Sequence, residues 1–586
     1  MKNTILIIII FILAGCNSTS KQNEEEIKIH GKELQRLKDE RQKFSSNDFW
    51  DQLPASAAPR SAPFSKGVNF SGWFESSSAH SIPFTKYTEQ DFIDVKSLGA
   101  DVIRLPVRMH SMTGAAPNYT LDPLLLKFLD IAADWAEKHK LYLIIDNHSF
   151  DPVLATSVDI DKILIPVWAQ VARHFRNRSE YIIYEILNEP HGISDSRWGE
   201  IQRLVIQEIR KHDQKHAIIA GGTDYNSVGK LLSVPRYDDQ NLIYTFHFYD
   251  PHIFTHQGAT WGEPSLANLK GVPFPYDISK MPELPANLRG TWVEGSYSGY
   301  SWAADFKALN YTLERVSQFA IERNVPVFCG EFGVFMPNSN PVDRILWYEF
   351  VTKSLDRRNI SRTSWDYYGG FGVFNSDMGD FNHDLNIEVV RAMGFNPPVL
   401  KQRQNEPLNE SFAIYDDYPN RRHVTVDSWG DGVDFSLYDQ NAEEGEFAVR
   451  WGSAKQYNAF SFHFKKASGD FSKLKDGGFF LEFKARCDKP VSFDVRFINS
   501  ESQSSIPWRM RYTINENTLP SDGRWHTVRI PLSEMNEHGA WVNAKQQWMP
   551  SRNEFSWSDI ERLEFAAEHS DLTGARIWFD NIRIVK

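Results

Sequence analysis

The chain has 586 residues, 41% hydrophobic and 24% charged, with a formal net charge of -12. That length exceeds one ordinary core and asks for two folded domains plus appendages. An acidic balance with no basic, aromatic-interleaved stripe excludes nucleic acid as a partner, because phosphate backbones are held by clustered Lys and Arg.

Residues 1–15 begin with Lys2, run through the apolar stretch Ile5 to Leu13 and close on small residues, the layout of a secretory signal too short to span a bilayer. Leu13-Ala14-Gly15-Cys16 resembles the bacterial lipobox. It implies cleavage before Cys16, acylation of that cysteine, and an exported lipoprotein anchored at the outer membrane or cell surface. Only Cys329 and Cys487 would then remain as thiols, far apart in sequence, so no disulfide is expected. Residues 16–63 read as a polar tether, with an exposed helix in the Glu24 to Lys43 portion, whose job is reach from the membrane.

From Lys66 short β-rich runs alternate with longer helical patterns, which predicts a parallel sheet built from strand-helix units. The runs are Gly67 to Phe70, Asp101 to Val107, Leu141 to His148, Ile182 to Glu189, His216 to Ala220, Leu242 to Tyr249, Val325 to Glu331 and Thr363 to Tyr367. Helical stretches lie between them, including Pro123 to Lys138, Asp161 to Arg176, Ser196 to Lys211, Ala304 to Arg323 and Val342 to Arg357. Eight such units close as an α/β fold, a (β/α)8 barrel over residues 64–396.

Barrels of this kind carry their active sites at the carboxyl ends of the strands, and here those ends are polar. Arg104, Asp146, His148, Asn188, Glu189, His247, Tyr249, Glu331 and Trp365 all stand there. In Y-I-I-Y-E-I-L-N-E-P, Tyr181 to Pro190, strict alternation would aim one of Asn188 and Glu189 outward, so the strand must break if both reach the cleft. Glu185 shares the Glu189 face deeper in the barrel, a structural carboxylate with Arg104 as a candidate partner and the rival to Glu189 for chemistry. The pairs Asp146 with His148 and His252 with His256 lack a third metal ligand, and Gly221-Gly222 lacks a dinucleotide-binding context.

Taken in order, V-I-R-L-P, Asp146-Asn147-His148, Asn188-Glu189-Pro190, His247-Phe248-Tyr249, C-G-E-F-G and Trp365 resemble glycoside hydrolase family 5 over roughly Lys66 to Phe395. The resemblance implies a retaining, two-glutamate mechanism without a catalytic cofactor: Glu331 as nucleophile and Glu189 as proton donor, its pKa raised by the charge of Glu331. Arg104 and Tyr249 would hold Glu331, Asn188 would bind the sugar 2-hydroxyl, His148 and His247 would bind or orient sugar and carboxylate, and Trp365 would form the subsite floor. Asp250 to Trp302 is a long loop rich in Pro, Gly and Trp, and long barrel loops shape substrate access. Trp261, Trp292 and Trp302, with Trp73 and Asp146, are further subsite candidates.

Residues 397–410 read as a linker, and residues 411–586 alternate like the strands of a β-sandwich. W-H-T-V-R-I-P-L and R-I-W-F-D-N-I-R-I-V resemble jelly-roll carbohydrate-binding modules, which implies a structural calcium with Asp580 among its ligands. Trp429, Trp451, Trp508, Trp541 and Trp548 could supply a sugar platform or a core. The whole reads as a monomeric, lipid-anchored endo-β-glycanase acting on β-1,4-glucan or a related β-glucan. Its rivals are the same chemistry on mannan, xylan or a glycolipid, and a non-catalytic polysaccharide-binding surface lipoprotein.

Overall fold

The structure, a computed structural model, describes residues 20–375, 379–402, 407–429, 433–502 and 505–586. Residues 1–15, read above as a secretory signal, and Cys16 lie outside the described residues. Eight parallel strands close a barrel in chain order: β1 (Lys66–Asn69), β2 (Val102–Val107), β3 (Tyr142–Asn147), β4 (Ile182–Glu185), β5 (Ala217–Gly221), β6 (Leu242–Phe248), β7 (Val327–Phe332) and β8 (Ser361–Ser364). The α/β barrel expected from the alternation is therefore present. Its floor is apolar, filled by Val102, Ile144, Ile183, Ile243 and Phe328 and closed from below by Ala62 and Phe64. Two residues further along the same strand faces stand Arg104, Asp146 and Glu185, all buried. These three strands, β2, β3 and β4, thus carry the chain from an apolar floor to a charged upper layer.

The outer helices form where apolar residues recur at helical spacing and a cap begins the turn. In Pro123–Lys138 the Asp122 side chain accepts from the Leu124 N–H, Pro123 sits in the first turn, and Leu125, Phe128, Leu129, Ala132 and Ala136 face inward. After β5 the long helix is replaced by two short turns, Thr223–Asn226 and Val228–Leu231.

The N-terminal segment departs from the free tether that its polarity suggests. Helix α1 (Ser20–Phe44) packs alongside α2, the helix Pro341–Asp356 that follows β7. Arg36 pairs with the buried Asp343 at 2.5 Å, and Arg41 with Glu349 at 2.8 Å. Phe44 joins Phe49, Trp50, Phe306 and Phe350 in an aromatic cluster. A mostly polar helix docks here because a few apolar residues on one face, Leu37 and Phe44, bury while its cations meet acids of the barrel.

C-terminal to the linker, a seven-stranded and a six-stranded sheet form the all-β domain. Phe460 and Phe565 of one sheet meet Phe579 of the other, with centroids 5.4 and 4.8 Å away. The strand Phe480–Cys487 alternates buried and half-buried residues, the period that a sandwich strand requires. Cys487 here and Cys329 on β7 are both buried, free thiols.

The sandwich does not hang loosely from the barrel. Arg421 pairs with Asp91 and donates to the Tyr368 hydroxyl at 2.7 Å. Phe84 contacts Tyr418, and Phe128 contacts Tyr438 and Phe447. At the centre of this seam the Tyr438 hydroxyl donates to the Ile82 carbonyl at 2.6 Å and accepts from the Phe84 N–H at 3.0 Å. Tyr438→Phe removes both contacts but leaves the Phe84 N–H on the Ile82 carbonyl at 2.8 Å, so it lowers stability by ~0.5–1.5 kcal/mol, the net worth of a hydrogen bond. A chemical-denaturation midpoint reads this directly, and an unchanged midpoint would show that the seam does not depend on the hydroxyl.

Candidate active site

Arg104, fully buried on β2, is the hub of the upper layer. Its Nε and Nη2 donate to the two carboxylate oxygens of Glu185 at 2.7 and 3.0 Å. Its Nη1 donates to Glu331 at 2.8 Å and to Asn69 at 2.9 Å, and Nη2 also reaches Asn188 at 2.8 Å and Asp146 at 3.0 Å. A rigid guanidinium fork suits this task, because one planar group can hold several acceptors in fixed directions. Glu185 thus takes the structural place foreseen for it, as Arg104's bidentate partner.

Glu331 is gripped from a second side by the Tyr249 hydroxyl, which donates to it at 2.9 Å. It comes into the cleft because the β6–β7 pairing slips by one residue between Phe246 and His247, so that Gly330 is the extra residue before it. A side chain at Gly330 would press within 2.9 Å of Thr245 and 3.1 Å of His247, which leaves glycine as the residue that fits the bulge.

On the opposite wall β4 stops at Glu185, and the alternation breaks as two adjacent polar residues require. Asn188 is tied by its N–H to the Asn147 carbonyl at 3.0 Å, and Glu189 adopts a left-handed backbone with φ of 47°. That conformation is costly for a residue with a side chain and persists only where its surroundings impose it. Glu189 Oε1 lies 2.6 Å from His247 Nδ1. One donor atom each of Glu189, His247 and Glu331 falls within 4.8 Å of the others.

Burial sets the protonation of this layer. It lifts Glu189 to about 7, against the pull of His148 and Arg104. The expectation that Glu331's charge does this needs correction: loss of water is the leading cause. Burial also holds His247 down to about 4, so its imidazole is neutral at pH 7. His247 Nε2 is buried without a partner among the described residues, which favours the tautomer whose Nδ1–H donates to Glu189 and leaves only a lone pair unpaired. Burial opposes charge on His148 too, but Asp146 at 2.7 Å from Nδ1 outweighs it and raises that histidine to about 9.

The other expected site residues divide into two groups. Trp365 is half-buried and stacks on His148, with centroids 5.5 Å apart and planes 11° apart. Trp261 is 45% exposed and touches His256, which in turn meets Tyr249. Trp292 stands one step further out against His252. Trp302 is 69% exposed on a short surface helix, Tyr300–Ala303.

Trp73 and Asp146 are corrected as subsite residues. Trp73 is fully buried, donates to the Phe84 carbonyl at 2.7 Å and stacks with Trp135 behind the strand, because the loop after β1 turns toward the helix layer. Asp146 is fully buried and engaged by Arg104 and His148, so it supports rather than touches a ligand. Sequence reasoning missed Asn69, which accepts from Arg104 and donates to the Gly330 and Ser364 carbonyls at 3.1 Å. Its only signal was an isolated polar residue at the end of β1.

In the sandwich, Asp580 does not fit a calcium ligand. Its carboxylate accepts from the backbone N–H groups of Asn581, Glu443 and Glu444 at 2.8, 2.8 and 3.0 Å, a shell of donors rather than of oxygens. Trp451 and Trp508 are buried in the core, while Trp541 and Trp548 pair across a hairpin at the edge of the seven-stranded sheet, both half-buried. The side chain of Trp429 lies outside the described residues.

The family model for cellulase (glycosyl hydrolase family 5) matches residues 63–370, and that for carbohydrate binding domain 30 matches residues 421–586. The chain is 25% identical over 526 residues to Endoglucanase H of Acetivibrio thermocellus, covering 83% of this chain and 51% of that one. It is 28% identical over 336 residues to Endoglucanase 3 of Fibrobacter succinogenes, covering 53% of this chain and 50% of that one. Endoglucanase C of A. thermocellus is 27% identical over 343 residues, 55% of this chain and 96% of that one. The chain thus spans about half the length of the first two relatives. With Glu189 and Glu331 facing each other across the mouth of an eight-stranded barrel and the cellulase model matching more than half its length, the chain belongs to glycosyl hydrolase family 5.

Proposed function

We propose that the protein is a retaining endo-β-glycanase acting on β-1,4-glucan or a related β-glucan. The observation that carries the mechanism is the approach of the Glu189 and Glu331 carboxyl groups to within 4.8 Å. Retaining enzymes hold their two carboxyls about 5–5.5 Å apart, whereas inverting enzymes leave about 6.5–9.5 Å for a water. Endoglucanase relatives support the glucan part of the reading.

In the first step a Glu331 oxygen attacks the anomeric carbon while Glu189 gives its proton to the glycosidic oxygen, and the aglycone departs as an alcohol. Glu331 is then an ester and carries no charge. Glu189, now a carboxylate, takes a proton from the water that attacks the same carbon, and the ester bond to Glu331 breaks. Asn188 faces the 2-hydroxyl, His247 orients Glu189, and Trp365 with Trp261 offers apolar faces to the sugar rings. The sandwich holds substrate near the mouth, with the Trp541–Trp548 hairpin as its surface. The chain is exported, acylated at Cys16 and monomeric.

A product profile on β-glucans, mannans and xylans tests the substrate: mixed oligosaccharides released fastest from a β-1,4-linked glucan are expected. Faster turnover of mannan or xylan would replace the glucan, and first-formed products of inverted configuration would sink the mechanism. Because Glu189 must begin protonated, kcat/KM falls about tenfold per pH unit above ~7. Glu185, which burial also lifts to about 7 against Arg104, could titrate in the same range. Glu185→Gln is therefore measured in parallel; a limb that vanishes with it would belong to Glu185.

A further inference from the structure

We propose that the catalytic mouth faces the membrane to which the chain is anchored, so the anchored enzyme acts on single soluble glycan chains and not on particles. This rests on the lipid-anchor and β-glucanase readings above. The direction of α1 carries it. In an eight-stranded parallel barrel a helix begins on the face where the preceding strand ends, so the first turn of α2 lies at the catalytic face, eight residues after β7.

Arg36 of α1 meets Asp343 in that first turn, Arg41 meets Glu349 halfway along, and Lys353 near the far end donates to the Phe44 carbonyl at 3.3 Å. Beyond Phe44 the chain continues to the barrel floor, where Arg357 and Arg358 donate to the Leu53 and Pro54 carbonyls. The two helices therefore run parallel, and α1 descends from the catalytic face to the floor. Glu33, 3.8 Å from Lys280 of the long loop after β6, marks the level at which α1 passes that face.

The helix extends from there back to Ser20, and at 1.5 Å per residue this is about 20 Å in the direction the mouth opens. Cys16 precedes Ser20 by four residues, which extended add at most ~14 Å. A lipid on Cys16 would hold the mouth within that combined distance of the bilayer and turned toward it. Gly31 lies two residues before Glu33, and a side chain there would meet nothing within 4 Å, which makes it the place to insert a flexible segment.

The test uses the chain from Cys16 onward, coupled to a maleimide lipid at Cys16 and bound to phosphatidylcholine vesicles; Cys329 and Cys487 are buried and spared. Anchoring is expected to leave hydrolysis of a soluble cello-oligosaccharide within twofold of the free Cys16→Ser protein. Turnover of insoluble glucan particles is expected to fall at least tenfold, and a twenty-residue Gly-Ser insertion after Gly31 to restore it. Particle activity unchanged by anchoring, equal loss on both substrates, or no recovery with the insertion would overturn the proposal. Labelled-palmitate uptake by the full chain and soluble-substrate hydrolysis by the free protein read the lipid-anchor and glucanase assignments separately.

Discussion

Glu331→Ala is expected to lower kcat on β-glucan by at least ~10⁵-fold, the scale on which removing an activated nucleophile acts, while oligosaccharide binding changes little. No neighbour can replace it. Glu185 is occupied on both oxygens by Arg104, and Asp146 is fully buried beneath the cleft. The variant should fold, because Arg104 keeps Glu185, Asp146, Asn69 and Asn188 as partners and loses one acceptor of several. Steady-state hydrolysis with calorimetric binding of a cello-oligosaccharide checks both halves. Normal turnover by this variant, or complete loss in Glu185→Gln with Glu331→Ala active, would move the chemistry to the deeper carboxylate.

The upper layer of the barrel was legible because alternation does two jobs at once. Arg104, Asp146 and Glu185 follow inward-facing Val102, Ile144 and Ile183 by two residues, so their faces can be read from the strand. Alternation also signalled its own failure at Asn188 and Glu189, and the left-handed Glu189 backbone is how the chain resolves it. The slip that delivers Glu331 was not legible, since a register shift depends on the neighbouring strand and one Gly does not announce it.

What escaped the sequence was mostly tertiary. The polar helix α1 looked like a tether because its docking depends on Asp343, Glu349 and Glu388, three acids of the barrel more than 300 residues away. Trp73 looked like a ligand platform because a strand end and a cleft coincide in most barrel loops, yet its loop folds back onto Trp135 and Phe92. Asp580 sits at a strand position that resembles a calcium site, but three backbone N–H groups satisfy it. Composition and spacing report what a residue could bind; only packing decides what it does bind.

Glu189→Ala is expected to divide substrates by leaving group, which a merely structural residue would not do. On polysaccharide, where the departing sugar alcohol needs a proton, kcat/KM falls by ~10³-fold, within the range that a general acid contributes. On an aryl glycoside whose phenolate leaves unaided, formation of the Glu331 ester should be nearly unimpaired. The second step then lacks its base, so the ester accumulates and a burst of phenol precedes slow turnover. Azide, which needs no base, should attack that ester and restore turnover with a β-glycosyl azide as product. The His247 ring stays in place in this variant, packed beside Gly330 and Thr245, so the loss reports the missing carboxyl rather than a collapsed wall. Equal loss on both substrate classes, or no azide product, would return Glu189 to a structural role and leave the proton donor to be sought among its neighbours.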